Sequence, residues 1–289
     1  LKVLLTGSRG FIGRNLQEGL QGMVDLRTPT HAELDLMDSE TVAKYLEREQ
    51  FDVVLHCATW NATVVSDKDR RWVLDHNLKM FFNLARHNDL YGHMFYFGSG
   101  AEYSRPHWHA LMRENEIGKH IPLDDYGLSK YLMHLHAISS HNITNLRLFA
   151  VYGPHEDYRI RFISNAICRA LFNLPIVIRR DRRFDYLWVG DLVEIVKKLL
   201  PHPPQLRSIN VCTSQPYLLS DLAKLVLENI ENKVNIEIQH DGLDKEYSGD
   251  NSALIKMIPT LSFTSPREGI VKLVNWYRQH QSEINPTEL

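Results

Sequence analysis

Tyr126 and Lys130 stand four residues apart in Tyr126-Gly127-Leu128-Ser129-Lys130, a spacing that puts two side chains on one helix face. A phenol with a pKa of about 10 neither gives nor takes a proton readily at neutral pH. An ammonium beside it favours the phenolate, so such a pair can pass a proton to an oxygen that is gaining charge. Ser99 follows the run His93-Met94-Phe95-Tyr96-Phe97-Gly98. A hydroxyl at the carboxyl end of a strand can hydrogen-bond a substrate oxygen. The YxxxK spacing is common by chance, and a core tyrosine beside a surface lysine is the plain alternative. The neighbouring motifs decide between them.

The first is Thr6-Gly7-Ser8-Arg9-Gly10-Phe11-Ile12-Gly13, with glycines spaced GxxGxxG directly after an aliphatic run. Glycine lets the turn tighten and the backbone approach a pyrophosphate, while the following helix offers free N–H groups and a partial positive charge. A tight strand–helix turn without a ligand is the alternative, but the position between strand and helix is the context the motif requires. The cofactor's charge is read at the end of the second strand, where an acid meets a free ribose hydroxyl and arginine a 2′-phosphate. Met23-Val24-Asp25-Leu26-Arg27-Thr28 offers both Asp25 and Arg27. With Arg9 in the glycine turn, two arginines can converge on one dianion, and NADPH is the expected cofactor. Asp52-Val53-Val54-Leu55-His56-Cys57-Ala58-Thr59 is a further strand ending in small residues, Cys57, Ala58 and Thr59, against which a cofactor can lie.

These residues need a scaffold, and the pattern supplies one. Strands are expected at 2–5, 23–26, 53–55, 93–97 and 145–149, alternating with helices at 11–20, 38–49, 72–87 and 126–141. Asp38 is the expected N-cap of its helix. Such alternation marks an α/β fold with a Rossmann-type, doubly wound parallel sheet and a ligand site at the carboxyl ends of the strands. Beyond Tyr152-Gly153-Pro154 the pattern changes, with helices at 161–171, 191–200, 220–229 and 267–281 and strands at 175–178, 209–211 and 234–238. The expected division is a dinucleotide-binding domain at 1–152, rejoined by about 186–212, and a smaller α/β lobe from 153–185 and 213–289. Asp191 is expected to cap the helix that it begins.

Composition sets limits. The chain has 289 residues, Lys+Arg 33 against Asp+Glu 35, and a net charge of -2. A near-neutral chain lacks the concentrated positive field that nucleic acid requires. The most apolar stretch, 166–178, is interrupted by Arg169 and Asn173, so no bilayer-spanning helix is expected. Cys57, Cys168 and Cys212 are far apart without CxxC spacing, implying neither a disulfide framework nor a zinc site. His134, His136 and His141 share no helix face with carboxylates, so no metal is expected. With a strand at the very start of the chain, the expected location is a reducing cytoplasm.

The glycine turn, Ser99 and the Tyr126–Lys130 pair together resemble the extended short-chain dehydrogenase/reductases, the NAD(P)-dependent epimerase/dehydratase family. The resemblance spans nearly the whole chain, including Arg147-Leu148-Phe149-Ala150-Val151-Tyr152-Gly153-Pro154, Tyr186-Leu187-Trp188-Val189-Gly190-Asp191 and Glu268-Gly269-Ile270 with Trp276-Tyr277. Arg9, Leu26-Arg27-Thr28, Leu34-Asp35-Leu36-Met37-Asp38 and Tyr152-Gly153-Pro154-His155-Glu156-Asp157 look most like the GDP-fucose synthase-like 4-ketoreductases. The resemblance implies a first lobe that binds the dinucleotide and a second that binds a nucleotide-diphosphate keto sugar. It makes Ser99, Tyr126 and Lys130 catalytic. Gly7, Ser8, Arg9, Gly10, Phe11, Ile12, Gly13, Arg27, Asp35, Leu36, Cys57, Ala58, Thr59, Asn77, Phe149 and Val151 hold the cofactor with Tyr126 and Lys130. Gly100, Tyr103, Asn165 and Arg183 face the substrate. It also implies a homodimer, the helices at 72–87 and 126–141 pairing across a two-fold axis into a four-helix bundle.

Three departures narrow the chemistry. Dehydratases of this family carry Asp-Glu directly after the catalytic hydroxyl residue, but Ser99 is followed by Gly100 and Ala101. Elimination needs an acid and a base at adjacent carbons. The family's epimerising reductases use a cysteine and a histidine where this chain has Ala101 and Phe162, and neither side chain moves a proton. The arginine expected two positions before Tyr186 is Phe184, leaving Arg183 as the nearest candidate for the diphosphate, within a cluster with Arg179, Arg180 and Arg182. The expected activity is thus NADPH-dependent 4-keto reduction of a nucleotide sugar without epimerisation. A 4-epimerase with tightly bound NAD is the enzymatic alternative, and a redox-sensing regulator that binds NADP(H) the non-enzymatic one.

Overall fold

The aliphatic run Val3-Leu4-Leu5 is wholly buried in β1 (Lys2–Thr6), as a strand covered on both faces requires. In the computed structural model, which describes residues 1–289, there follow α1 (Phe11–Leu20), β2 (Asp25–Arg27), α2 (Ser39–Glu49), β3 (Phe51–His56), α3 (Val73–Ala85), β4 (Tyr91–Ser99), α4 (Asp125–Ser139) and β5 (Ile143–Leu148). Next come β6 (Ala150–Tyr152), α5 (Phe162–Leu171), β7 (Ile176–Asp181), β8 (Arg183–Phe184), β9 (Tyr186–Trp188), α6 (Val189–Leu199) and β10 (Ser208–Val211). The chain ends with β11 (Tyr217–Leu218), α7 (Leu219–Glu228), β12 (Ile236–Leu243), α8 (Ser252–Met257) and α9 (Pro266–Gln279).

Six strands form one parallel sheet in the order β10-β5-β4-β3-β1-β2. It is the doubly wound α/β architecture read from the alternation of strands and helices. The strand order reverses beside β1, which opens a crevice between the ends of β1 and β3. One apolar core packs α1 and α6 on one face of the sheet, and a second packs α2, α3 and α4 on the other. A third gathers α5, α7 and α9 with β7 and Tyr152 beyond the sheet. β10 lies in register with β5, Ser208 opposite Asn145, so residues past 186 share the first core with β1.

Local chemistry sets the boundaries. Asp38 caps α2 by accepting the Glu40 N–H. Ser265 and Glu268 form a reciprocal capping box at α9, with Pro266 in the first turn. A short 3-10 turn, Arg70–Trp72, precedes α3, so the expected helix at 72–87 begins a residue later and ends at Ala85. Asp191 lies in the first turn of α6, whose N-cap is Trp188. Its carboxylate instead accepts the Thr264 N–H and hydroxyl, both at 2.8 Å, and so ties the segment before α9 to α6. The strand expected at 234–238 runs on to Leu243 because β7 offers it a parallel partner. No helix is long and apolar enough to cross a membrane.

Candidate active site

The glycine turn is held by close approach. A Cβ on Gly7, whose φ is +70°, would lie 2.6 Å from the Ala58 nitrogen, and one on Gly13 would lie 2.1 Å from the Gly7 oxygen. The N-terminus of α1 has neither a side-chain cap nor an acidic residue in its first turn. Its unpaired N–H groups face no competing anion of the protein's own, which suits a dinucleotide pyrophosphate. Gly7, Ser8, Arg9, Gly10 and Gly13 build this turn, and Phe11 and Ile12 carry it into a cleft of about 710 Å³. Cys57, Thr59, Phe149 and Val151 line the same cleft. Burial raises the Cys57 thiol well above its usual range, so it is a neutral wall.

Three expected cofactor residues also hold the backbone in place. Asn77 is buried, and its Oδ1 accepts the Thr59 hydroxyl at 3.0 Å and the Trp60 N–H at 2.6 Å, which fixes the loop after β3. Asp35 Oδ1 accepts the Met37 N–H at 2.9 Å, and Leu36 is buried with its carbonyl held by Asn83. Arg9 is exposed, and Arg27 pairs with Asp25 on the surface.

Ser99, Tyr126 and Lys130 line this cleft together. Ser99 ends β4 and caps a 3-10 turn over Gly100–Tyr103: the Ala101 N–H donates to Ser99 Oγ at 3.1 Å. Asp124 caps α4 by accepting the Gly127 N–H at 2.9 Å, which sets Tyr126 in the first turn. Lys130 is buried one turn later; its Nζ donates to the Phe97 carbonyl at 2.8 Å and lies 5.9 Å from the centre of the Tyr126 ring. Beneath them His56 is held neutral, its pKa lowered to about 3 by burial and by the Lys130 charge. Thr6 Oγ1 sits 2.9 Å from His56 Nδ1.

The far wall of the cleft is built by residues that follow β6. Arg179, Arg180 and Arg182 line it with Arg161, Phe162, Phe184 and Tyr186. Arg183 does not: it is exposed, because successive residues of β8 point to opposite faces and Phe184 takes the inward one. Two more expected substrate residues are structural. Tyr103 is buried and donates to Asn210 Oδ1 at 2.8 Å. Asn165 donates to the Tyr158 and Arg159 carbonyls, bracing the loop before α5. Gly100 is buried beneath the ring of Tyr247. No cluster of three His, Cys, Asp or Glu side chains could hold a metal ion.

Three features were missed. Glu102 and Arg147 form a fully buried ion pair, Nε to Oε2 2.7 Å, and Glu102 Oε1 also accepts the Ser99 N–H at 3.0 Å. Ser99-Gly100-Ala101-Glu102 carries the capping-box spacing that could have revealed it. Glu156 is a buried carboxyl in the cleft wall, raised to about 8 by burial, with Ser164 donating to its Oε2 at 2.7 Å. Tyr247, in the segment between β12 and α8, brings a further phenol to the cleft besides Tyr126 and Tyr186, and no motif marks it.

The sequence pattern described as the NAD dependent epimerase/dehydratase family matches residues 3–212. The chain belongs to that family. Among curated members, an "ADP-L-glycero-D-manno-heptose-6-epimerase" from Cupriavidus pinatubonensis is 24% identical over 96% of this chain and 98% of that one. Among solved structures of the family's fold, a GDP-L-fucose synthetase from Naegleria fowleri bound to NADP has a TM-score of 0.82 at 14% identity, covering 97% of this chain and 93% of that one. A GDP-mannoheptose C4 reductase from Campylobacter jejuni with NADP bound has a TM-score of 0.80 at 18% identity, covering 96% and 98%. The family binds a nicotinamide dinucleotide, which is therefore the cofactor class of this chain.

Proposed function

We propose that the protein is an NADPH-dependent reductase of a nucleotide-linked 4-keto sugar and does not epimerise its substrate. The observation that carries this reading is the shared cleft, in which Ser99, Tyr126 and Lys130 face a wall containing Arg179, Arg180 and Arg182. The cofactor, when bound, supplies the hydride that reduces the carbonyl carbon. Ser99 donates a hydrogen bond to the carbonyl oxygen, and Tyr126 gives that oxygen its proton. Lys130 carries the positive charge that stabilises the phenolate left behind, and it holds the ribose. Arg9 and Arg27 bind the 2′-phosphate. The arginine wall takes the diphosphate of the sugar nucleotide, Arg182 from the side of β8 that Arg183 leaves.

The absence of epimerisation rests on two positions. Ala101 is buried and Phe162 lines the cleft, so neither place holds an acid or a base. The names of the curated relatives favour a second reading, in which the same three residues move hydride out and back in an epimerase. Cofactor released from the purified protein separates the two: exchangeable NADPH supports reduction, and retained NAD supports epimerisation. Thermal-shift screening of nucleoside diphosphates in the presence of NADPH identifies the base, since a ligand that binds only the folded state raises the melting temperature.

The domain roles follow from this reading. Residues 1–152 with 186–212 bind the dinucleotide, and 153–185 with 213–289 bind the nucleotide sugar.

A further inference from the structure

Glu156 is the only acidic side chain on the wall of the cleft, against five arginines and Lys130. The excess of cations suits phosphates, and an acid among them works against those same ligands. Its presence calls for a part of the ligand that is polar but uncharged. Glu156 is 8% exposed. Ser164, wholly buried in the first turn of α5, donates to its Oε2 at 2.7 Å. Oε1 has no hydrogen-bond partner in the protein yet is not among its sealed, unpaired polar atoms, so it opens on the cleft.

No cation of the protein neutralises this carboxyl. Arg159 pairs with Asp157 at 2.9 Å, His155 pairs with Glu18 at 3.0 Å, and Arg161, the N-cap of α5, is exposed. A buried acid without an ion-pair partner stays neutral, and burial raises this one to about 8. The phenols near it on β6, β9 and α9, Tyr152, Tyr186 and Tyr277, are likewise raised by burial and stay neutral over the same range. A neutral carboxyl has one hydrogen to donate. With the Ser164 hydroxyl donating to Oε2, that hydrogen lies on Oε1, on the side of the cleft.

We propose that Glu156 determines specificity for the sugar: with Ser164 holding Oε2, its Oε1 donates a hydrogen bond to a sugar hydroxyl. This assignment rests on the nucleotide-sugar reading of the cleft and adds which part of that ligand the carboxyl recognises. The arginines take the charged half, and the one acid takes the neutral half. A buried donor aimed at a hydroxyl discriminates against a ligand that lacks it, because the donor is then left unpaired.

Titration calorimetry on the NADPH-saturated protein tests it, with GDP-mannose, UDP-glucose, dTDP-glucose and ADP-glucose as probes beside the matching nucleoside diphosphates. Glu156→Leu should weaken binding of the nucleotide sugar about tenfold, the scale of one hydrogen bond, and leave the affinity for the nucleoside diphosphate and for NADPH as it was. Glu156→Gln puts an amide donor in the same place and should recover most of that loss. Between about pH 6.5 and about pH 9 the wild type should lose about tenfold for the nucleotide sugar relative to the nucleoside diphosphate, as the carboxyl gives up its hydrogen. Glu156→Gln should stay flat over that range. No loss in Glu156→Leu, or an equal loss for nucleotide sugar and nucleoside diphosphate, overturns the inference. Parallel pH profiles for wild type and Glu156→Gln overturn it too, and that comparison decides alone if Glu156→Leu does not fold. A wild type that binds none of the nucleotide sugars fails the nucleotide-sugar reading and takes this assignment with it, whereas the other contrary results fail the assignment alone.

Discussion

Arg27 pairs with Asp25 across the end of β2, with its Nε 3.2 Å from Asp25 Oδ1 and both side chains about half exposed. An exposed pair of this kind contributes little and yields readily to a dianion. NADPH should therefore bind more tightly than NADH, and Arg27→Ala should narrow the difference. Asp25→Asn should widen it, because the mutation removes a carboxylate that competes for Arg27 and repels the 2′-phosphate. Dissociation constants from nicotinamide fluorescence check this. Equal affinities in the wild type would contradict the assignment.

Arg147 is the largest fully buried side chain. Besides Glu102 it donates to Asn210 Oδ1 at 3.0 Å and Ser208 Oγ at 2.7 Å. Removing one partner of a buried pair leaves an uncompensated charge, typically at about 3–5 kcal/mol. Arg147→Met should lose stability on that scale in urea unfolding. A loss below about 1 kcal/mol would mean that water reaches Glu102 and that the pair does not hold Ser99 in place.

Much of the fold was legible because its signals are local. The glycine turn, the aliphatic strands and the Asp38 cap all lie within a few residues of what they determine. Ser99, Tyr126 and Lys130, which line one cleft, were legible for the same reason. Arg183 was misplaced because the side that a two-residue strand presents depends on its partner, β11, which a family register does not reveal. Tyr103 and Asn165 are polar residues near the cleft whose partners, Asn210 and the 158–159 carbonyls, turn them away from it. Tyr247 was invisible because what brings it to the cleft is a contact with Gly100, far away in the chain, that no local motif encodes.

Glu156 gives the stability a pH dependence with a definite sign. Its carboxyl is raised by burial from 4.5 to about 8 in the folded protein. A raised folded pKa means that the folded state holds the proton more tightly. The associated stability is complete below about 4.5 and is lost as pH rises through about 8. Glu156→Gln cannot ionise and should flatten this decline, gaining on the order of a few kcal/mol relative to wild type at high pH. Denaturant unfolding from pH 5 to 9 reads the difference; parallel curves for the two proteins would show that Glu156 is solvated.

The helix pair α3 and α4 leaves Leu135 41% exposed and Ile138 50% exposed, with Trp72 at 50% just before α3. A homodimer that buries this surface in an isologous four-helix bundle should sediment as one species at micromolar concentration. Leu135→Glu combined with Ile138→Glu should shift it to monomer. A wild type that sediments as a monomer would contradict the pairing.

The most direct test is the stoichiometry of one reaction in deuterated water. Wild-type protein is mixed with NADPH and a nucleotide-linked 4-keto sugar, with an enzyme-free control for chemical enolisation. The account predicts one NADPH consumed per alcohol formed and no enzyme-dependent deuterium on the carbons flanking the ketone. Tyr126→Phe should be slower by about 100-fold or more with NADPH affinity nearly unchanged. Enzyme-dependent deuterium at either flanking carbon, or interconversion of sugars without net NADPH consumption, would contradict it.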